Sequence, residues 1–322
     1  MRENSPRIPY TEHRIRFLSD GLSCAGRLLL PKATPPFASV ILANGFSGTM
    51  DWILPSFAQA FVGAGLAALI FDYRHFGESE GEPRQIVDVQ KQRQDLRSAI
   101  AFARSSAELD PAKVALWGTS LGGSHVIAIA GEDARIAAVV ANMPALDVLR
   151  GADFSARMTR QNVSAVQFAT TTARLLKAAV EDWARGLFGK SPRYLNVYGE
   201  PGEAFFTDPA LAERFEAVEK GSPTWRNLVA ARFFLQAPRY RKGAVGRIRA
   251  PLLFTLASHD VEVSADFVKE AAKESTLARV KEYPADHFDL YHGELFEQVA
   301  ADQVEFLVEH LRRTSGHDVE RR

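Results

Sequence analysis

Residues 115–126 read "ALWGTSLGGSHV": an apolar run ending at Trp117, a serine at 120 held between Gly118 and Gly122, and then more apolar residues. A chain that leaves a buried strand and enters a helix at once forces the residue at the corner into a strained backbone. The residues two before and two after it then come so close that side chains there would collide. Glycine at 118 and 122 removes that collision. The strain lifts the Ser120 hydroxyl clear of the backbone and leaves the Leu121 amide unpaired at a helix N-terminus, where negative charge is favoured.

The surroundings supply the strand and the helix that this reading needs. "ASVILA" (38–43), "LAALIF" (66–71), "KVALW" (113–117), "IAAVVA" (136–141) and "PLLFTLA" (251–257) are short continuous apolar runs of the kind that buried parallel strands require. From Ile86, the positions Val89, Leu96, Ile100 and Ala103 recur at helical spacing opposite polar residues. Upstream, alternation through His13, Ile15 and Phe17, a turn at Asp20-Gly21 and the run "LSCAGRLLL" predict an antiparallel hairpin. The whole is an α/β pattern, a mostly parallel sheet with helices on both faces, in which chemistry sits in loops at the carboxyl ends of strands. The alternation lapses between about Ala145 and Ile248. There "VSAVQFATTTARLLKAAVEDWARGLFG" and "ALAERFEAVEKG" predict helices, and "PRYLNVYGEPGEAFFTDP" predicts a loop. Residues 146–247 are therefore expected to form a helical cap inserted into a core made of 1–145 and 248–322, with the tail after Ser315 frayed.

Composition narrows the function. With 46% hydrophobic and 24% charged residues in a 322-residue chain, a large core is expected. Lys plus Arg balances Asp plus Glu at 39 each, so the net charge gives no reason to expect nucleic acid or an anionic membrane as partner. The single cysteine, Cys24, excludes an intrachain disulfide and fits a reducing compartment. The start, "MRENSPRIPYTEH", has no apolar signal-peptide region, and the most apolar run, 65–71, is too short to cross a bilayer. The expected location is cytoplasmic.

"GTSLG" (118–122) in this strand–turn–helix setting resembles the G-x-S-x-G nucleophile elbow of the α/β-hydrolase superfamily. The likeness covers about 10–145 and 248–312. "FDYRHFGESEGEP" is similar to the superfamily's D-x-R-x-x-G-x-S loop, which buttresses the oxyanion region. "HFDLYHGELFE" looks like the closing histidine loop of bacterial dienelactone hydrolases, acetyl-xylan esterases and peptidase-like hydrolases. The resemblance implies a Ser-His-Asp hydrolase working through an acyl-enzyme, with no metal or organic cofactor. It also implies the chain order serine, acid, histidine.

That order excludes His13 and His75 as base. His125 lies in the helix after the elbow with a packing role, and His310 and His317 fall in the terminal helix and tail. His287 follows the strand-like segment "ARVKEYP" and is the expected base, while His259 and His292 suit it less. The acid is expected at Asp260, just past the "PLLFTLA" strand, with Asp147 after "VVANMPAL" as the alternative. Asp286 and Asp289 are too near His287 in sequence to reach behind its ring. One oxyanion donor is the Leu121 amide and the other the Phe46 amide in "NGFSGTMDW", where Asn44-Gly45 stands in place of the His-Gly of many relatives.

Trp52 and the cap aromatics Phe205, Phe206, Phe233 and Phe234 are candidates for an apolar acyl pocket. No GxxxxGK[ST] loop or dinucleotide fingerprint is present, and "HFDLYH" lacks a further ligand for a metal. The expected activity is hydrolysis of an ester, thioester or lactone of a small to medium apolar molecule. Acyl transfer or carbon–carbon bond hydrolysis by the same residues, or ligand binding without catalysis, are the alternatives. A small molecule is the expected partner, with a homodimer left open.

Overall fold

The computed structural model describes residues 8–312; the tail after Ser315, with His317, lies outside them. The predicted hairpin is present as β1 (Tyr10–Ser19) and β2 (Leu22–Pro31), paired antiparallel around Asp20-Gly21. The apolar runs become β3 (Phe37–Ala43), β4 (Ala67–Phe71), β5 (Leu109–Thr119), β6 (Ala138–Asn142) and β10 (Leu252–Ala257). With β11 (Ala278–Tyr283) they form one eight-stranded sheet in the order β1-β2-β4-β3-β5-β6-β10-β11. All pairs from β4 to β11 are parallel, and β2 joins β4 antiparallel. Every residue of β4, β6 and β10 is buried, which is why these segments read as unbroken apolar runs rather than alternating ones.

Helices cover both faces: α1 (Leu54–Gly63), α2 (Val89–Ser105), α3 (Leu121–Ala130), α8 (Ala265–Ala272) and α9 (Gly293–Arg312). The α2 start is set by Asp88, whose carboxylate accepts from the Gln90 and Lys91 amides. From β3 the chain crosses to β4 on one side and then to β5 on the other. The order therefore reverses between β3 and β5, and the loops leaving these two strands face each other at the carboxyl edge.

Between β6 and β10 lies the cap, with helices α4 (Phe154–Arg160), α5 (Ala165–Leu187), α6 (Ala212–Gly221) and α7 (Phe233–Gln236). One expectation fails here. The segment read as a loop contains β7 (Tyr194–Tyr198) and β8 (Ala204–Phe206), which pair parallel to each other, while β9 (Val229–Ala230) pairs antiparallel with β7. Alternation in "YLNVY" is the strand signal: Leu195 and Val197 are buried, and their neighbours only half so. The Pro and Gly residues that suggested a loop mark the turn between two short strands.

Candidate active site

The elbow is built as its glycines require. Ser120 has φ 51° and ψ −117°, a conformation that L-residues rarely hold, between the end of β5 and the start of α3. A Cβ on Gly118 would lie 2.3 Å from the Gly122 carbonyl oxygen, and one on Gly122 would lie 2.2 Å from the Ala43 oxygen. The second glycine thus admits β3 as well as the first glycine. The Ser120 amide donates to the Asn142 carbonyl and its carbonyl accepts from the Ala145 amide, which ties the corner to the end of β6.

Beneath the corner a buried polar network joins the strand ends. Asn142 donates to Thr119 Oγ1 and accepts from Thr255 and Gln303. Gln303 in turn accepts from the Trp117 indole. Each member is paired, so the network fixes the relative heights of β5, β6 and β10 instead of straining them.

His287 and Asp260 meet. His287 Nδ1 lies 2.6 Å from Asp260 Oδ2, with both side chains buried. Asp260 Oδ1 accepts from the Glu262 and Val263 amides, which sets the carboxylate's angle. Burial pulls the His287 pKa down, but the charge and hydrogen bond of Asp260, helped by Glu262, outweigh it, and the value lies above the ordinary one. The His287 loop is anchored beside the elbow, because the Tyr291 hydroxyl and Thr119 Oγ1 are 2.7 Å apart. Ser120, Asp260 and His287 therefore leave β5, β10 and β11 at one edge of the sheet.

The other sequence candidates for acid and base are used elsewhere. Asp147 accepts from Arg150 and from the Leu149, Arg150 and Tyr240 amides. His125 is buried with its Nε2 3.0 Å from Gln92 Oε1. His259 is exposed. Asp286 pairs with Arg160, and Asp289 with Arg214.

The loop after β3 supplies the opposite wall. Asn44 folds back on it, donating to the Thr49 carbonyl while its Oδ1 accepts from the Gly45 amide. A Cβ on Gly45 would stand 3.3 Å from the Ser120 Cβ, so Phe46 follows directly on the point of closest approach. No side chain caps the start of α3, which leaves the Leu121 amide open. The resemblance of "FDYRHFGES" is realised in bonds: Asp72 accepts from the Met50 amide in the Phe46 loop and from the Glu78 amide. Burial pushes the Asp72 carboxyl up to about 6, against the pull of those two amides.

Of the apolar candidates, Phe205, Phe206 and Phe233 pack against the Phe46 ring, at centroid distances of 4.6, 6.2 and 4.7 Å. Phe234 stacks behind Phe205, in the cap's own small cluster with Ala178, Leu195 and Ala231. Trp52 packs on Phe215 and Trp225. It also borders a groove of about 720 Å³ with Arg214, Asp289 and His292. Sequence reasoning missed Phe288 and Phe215. Phe288 follows His287 directly and meets Phe206 and Phe215 edge-on, so the cap aromatics bridge the Phe46 loop and the His287 loop. It also missed Arg157 of α4, which forms an ion pair with Glu262, the residue whose amide holds Asp260.

Residues 34–298 match the protein family described as serine aminopeptidase, S33. The chain belongs to this family of α/β-hydrolases. The quorum-quenching protein AidA of Acinetobacter baumannii (strain MDR-ZJ06) is 35% identical to this hydrolase over 302 residues, which cover 93% of this chain and 95% of AidA. The polyketide transferase grgF of a Penicillium species is 26% identical over 301 residues, 91% of this chain and 94% of its own length. The crystal structure of GrgF from Penicillium sp. sh18 superposes with a TM-score of 0.75 at 24% identity, covering 95% of this chain and all of that one, and supports the fold. Among the described residues no helix is long and apolar enough to cross a membrane.

Proposed function

We propose that this hydrolase cleaves an ester, thioester or lactone of a small to medium apolar molecule, with Ser120 as nucleophile, His287 as base and Asp260 as its orienting acid. Ser120 Oγ attacks the carbonyl carbon and gives its proton to His287. The carbonyl oxygen becomes an oxyanion held by the Leu121 and Phe46 amides. His287 then protonates the leaving oxygen or sulfur, and the acyl group stays on Ser120. A water molecule, deprotonated by His287, releases the acid and restores the serine. The observation that carries this reading is the 2.6 Å contact between His287 Nδ1 and Asp260, beside a serine held at positive φ on an uncapped helix start. Phe46, Phe205, Phe206 and Phe233 supply an apolar wall for the acyl group. A cytoplasmic location agrees with a single cysteine, Cys24, that is buried.

Transfer to an acceptor other than water is the second reading, favoured by the polyketide transferase among the relatives. A fluorophosphonate probe should label the wild type at one residue, Ser120, and Ser120→Ala should lose both labelling and turnover of short- and medium-chain acyl esters, thioesters and lactones. Labelling that persists in Ser120→Ala, or a wild type that never labels, overturns the assignment. Products formed with and without an added alcohol, amine or thiol separate hydrolysis from transfer.

A further inference from the structure

Helix α5 leaves an apolar row facing solvent. Val166, Leu176, Val180, Trp183 and Leu187 are 75%, 46%, 53%, 49% and 64% exposed. Ala169 and Ala173, on the same row, are exposed too. Positions 166, 169, 173, 176, 180, 183 and 187 are spaced three and four residues apart in strict alternation along the whole helix. That is the a/d repeat of a helix whose seam packs on another helix. The opposite side of α5 is already occupied, with Ala178, Ala179 and Asp182 buried against the rest of the cap.

The row is narrow. Thr170, Lys177 and Glu181 border it, where an interfacial membrane helix would carry a broad apolar face backed by a surplus of basic residues. Glu181 stands among Arg174, Lys177 and Arg185, while Asp182 lies on the buried side, paired with Arg232. A second helix fits such a seam better than a lipid surface does.

The sizes along the row choose both the partner and its direction. The two alanines, Ala169 and Ala173, lie in the first half, and Leu176, Trp183 and Leu187 lie from the middle onward. When a second α5 runs antiparallel about a two-fold axis at Leu176, Ala173 faces Val180, Ala169 faces Trp183 and Val166 faces Leu187. Small then meets large at the central contacts. A parallel pair would set Trp183 on Trp183 and leave Ala169 facing Ala169 across a gap. With Phe188, 77% exposed beside the end of the row, this face offers at most roughly 650 Å² of apolar surface per copy, so a symmetric pair that covered all of it would bury about 1,300 Å², the lower part of the range of stable interfaces.

We infer that α5 is a dimer interface on which a second copy of this chain packs antiparallel, with Leu176 on the two-fold axis. The interface is isologous and closed, so assembly stops at two. It stands on the cap's outer surface and does not depend on the catalytic assignment.

Sedimentation velocity of the full chain over the micromolar range tests it. The wild type should run as a dimer. Leu176→Glu and Trp183→Glu should each weaken association by about a hundredfold or more, with far-UV circular dichroism unchanged. Leu176→Cys should form a disulfide with its own symmetry mate under mild oxidation. Leu235→Cys, at an exposed cap leucine off this row, should not. A wild type that stays monomeric overturns the inference, as does a dimer that survives both glutamate variants or a Leu176→Cys protein that never cross-links. Monomers that bind phosphatidylcholine–phosphatidylglycerol vesicles, and lose binding in Leu176→Glu, would assign the row to a membrane surface instead.

Discussion

Gly122→Ala probes the elbow through steric overlap alone. The new Cβ would lie 2.2 Å from the Ala43 oxygen, 2.4 Å from the Asn44 oxygen and 2.7 Å from the Ala43 carbonyl carbon. All three are backbone atoms at the end of β3, so no rotamer change relieves them. Carbon and oxygen settle at about 3.3 Å or more. The start of α3 must therefore withdraw from β3 by about 1 Å. Overpacking of this kind costs about 1–3 kcal/mol, and contact with backbone on two carbonyls puts the cost near the upper end, about 3 kcal/mol. For a chain of this size that lowers the melting temperature by roughly 4–5 °C. The same displacement separates the Leu121 amide on α3 from the Phe46 amide on the β3 loop, and a misplacement of about 1 Å costs on the order of a hundredfold in rate. Thermal denaturation and the rate of fluorophosphonate labelling read the two effects independently. Gly131→Ala, at the other end of α3, is the matched control: its Cβ would meet nothing nearer than 3.4 Å, and both readouts should stay at wild-type values. A Gly122→Ala protein that melts within about 1 °C of wild type and labels equally fast would refute the steric account of the corner.

Two further outcomes follow from the charges. Asp260→Asn should slow labelling by about a thousandfold or more, because the carboxamide no longer fixes the ring tautomer. Since Asp260 holds the His287 pKa above its ordinary value, the acid limb of the residual rate should also move to lower pH; a limb that stays put or rises refutes the pairing. Asp72 gives a stability signature. Its folded pKa of about 6 stands above the ordinary 3.8, so the folded state binds this proton more tightly than the unfolded chain. Its contribution is then fully present below about 4 and is lost as pH rises to about 6. The unfolding free energy of wild type minus that of Asp72→Asn, from urea titrations, should fall by about 3 kcal/mol across that window. A constant difference would refute it.

The parts of this molecule that were legible in its sequence are those where one constraint dominates. Strands buried on both faces are apolar except where a buried network pairs their polar residues, as it does Asn142 and Thr255, and β3, β4, β6 and β10 stand where their runs place them. A corner that admits no Cβ must be glycine, and Gly118 and Gly122 marked it. The cap was harder because β7 and β8 are short and sit among Pro and Gly residues, whose turn signal outweighs a brief alternation. Phe288 could have been found, since it follows directly on His287. Arg157 could not: its partner Glu262 is a hundred residues away in sequence, and nothing local in "FSARMTR" distinguishes a clamp from a solvated face.

Those distant pairs bind the cap to the chemistry more tightly than its aromatic contacts alone would. Arg157 reaches Glu262 beside Asp260, Arg160 reaches Asp286 beside His287, and Arg214 reaches Asp289 in the same loop. Burial pushes the Glu262 carboxyl up, and Arg157 draws it back. Lifting α4 alone would leave that part-buried carboxylate without its cation, beside Asp260. The Arg160 and Arg214 contacts are more exposed and weaker singly. Together the three tie the Asp260 loop and the His287 loop to the cap, so the element that carries Phe205, Phe206 and Phe233 also holds the loops that carry Asp260 and His287.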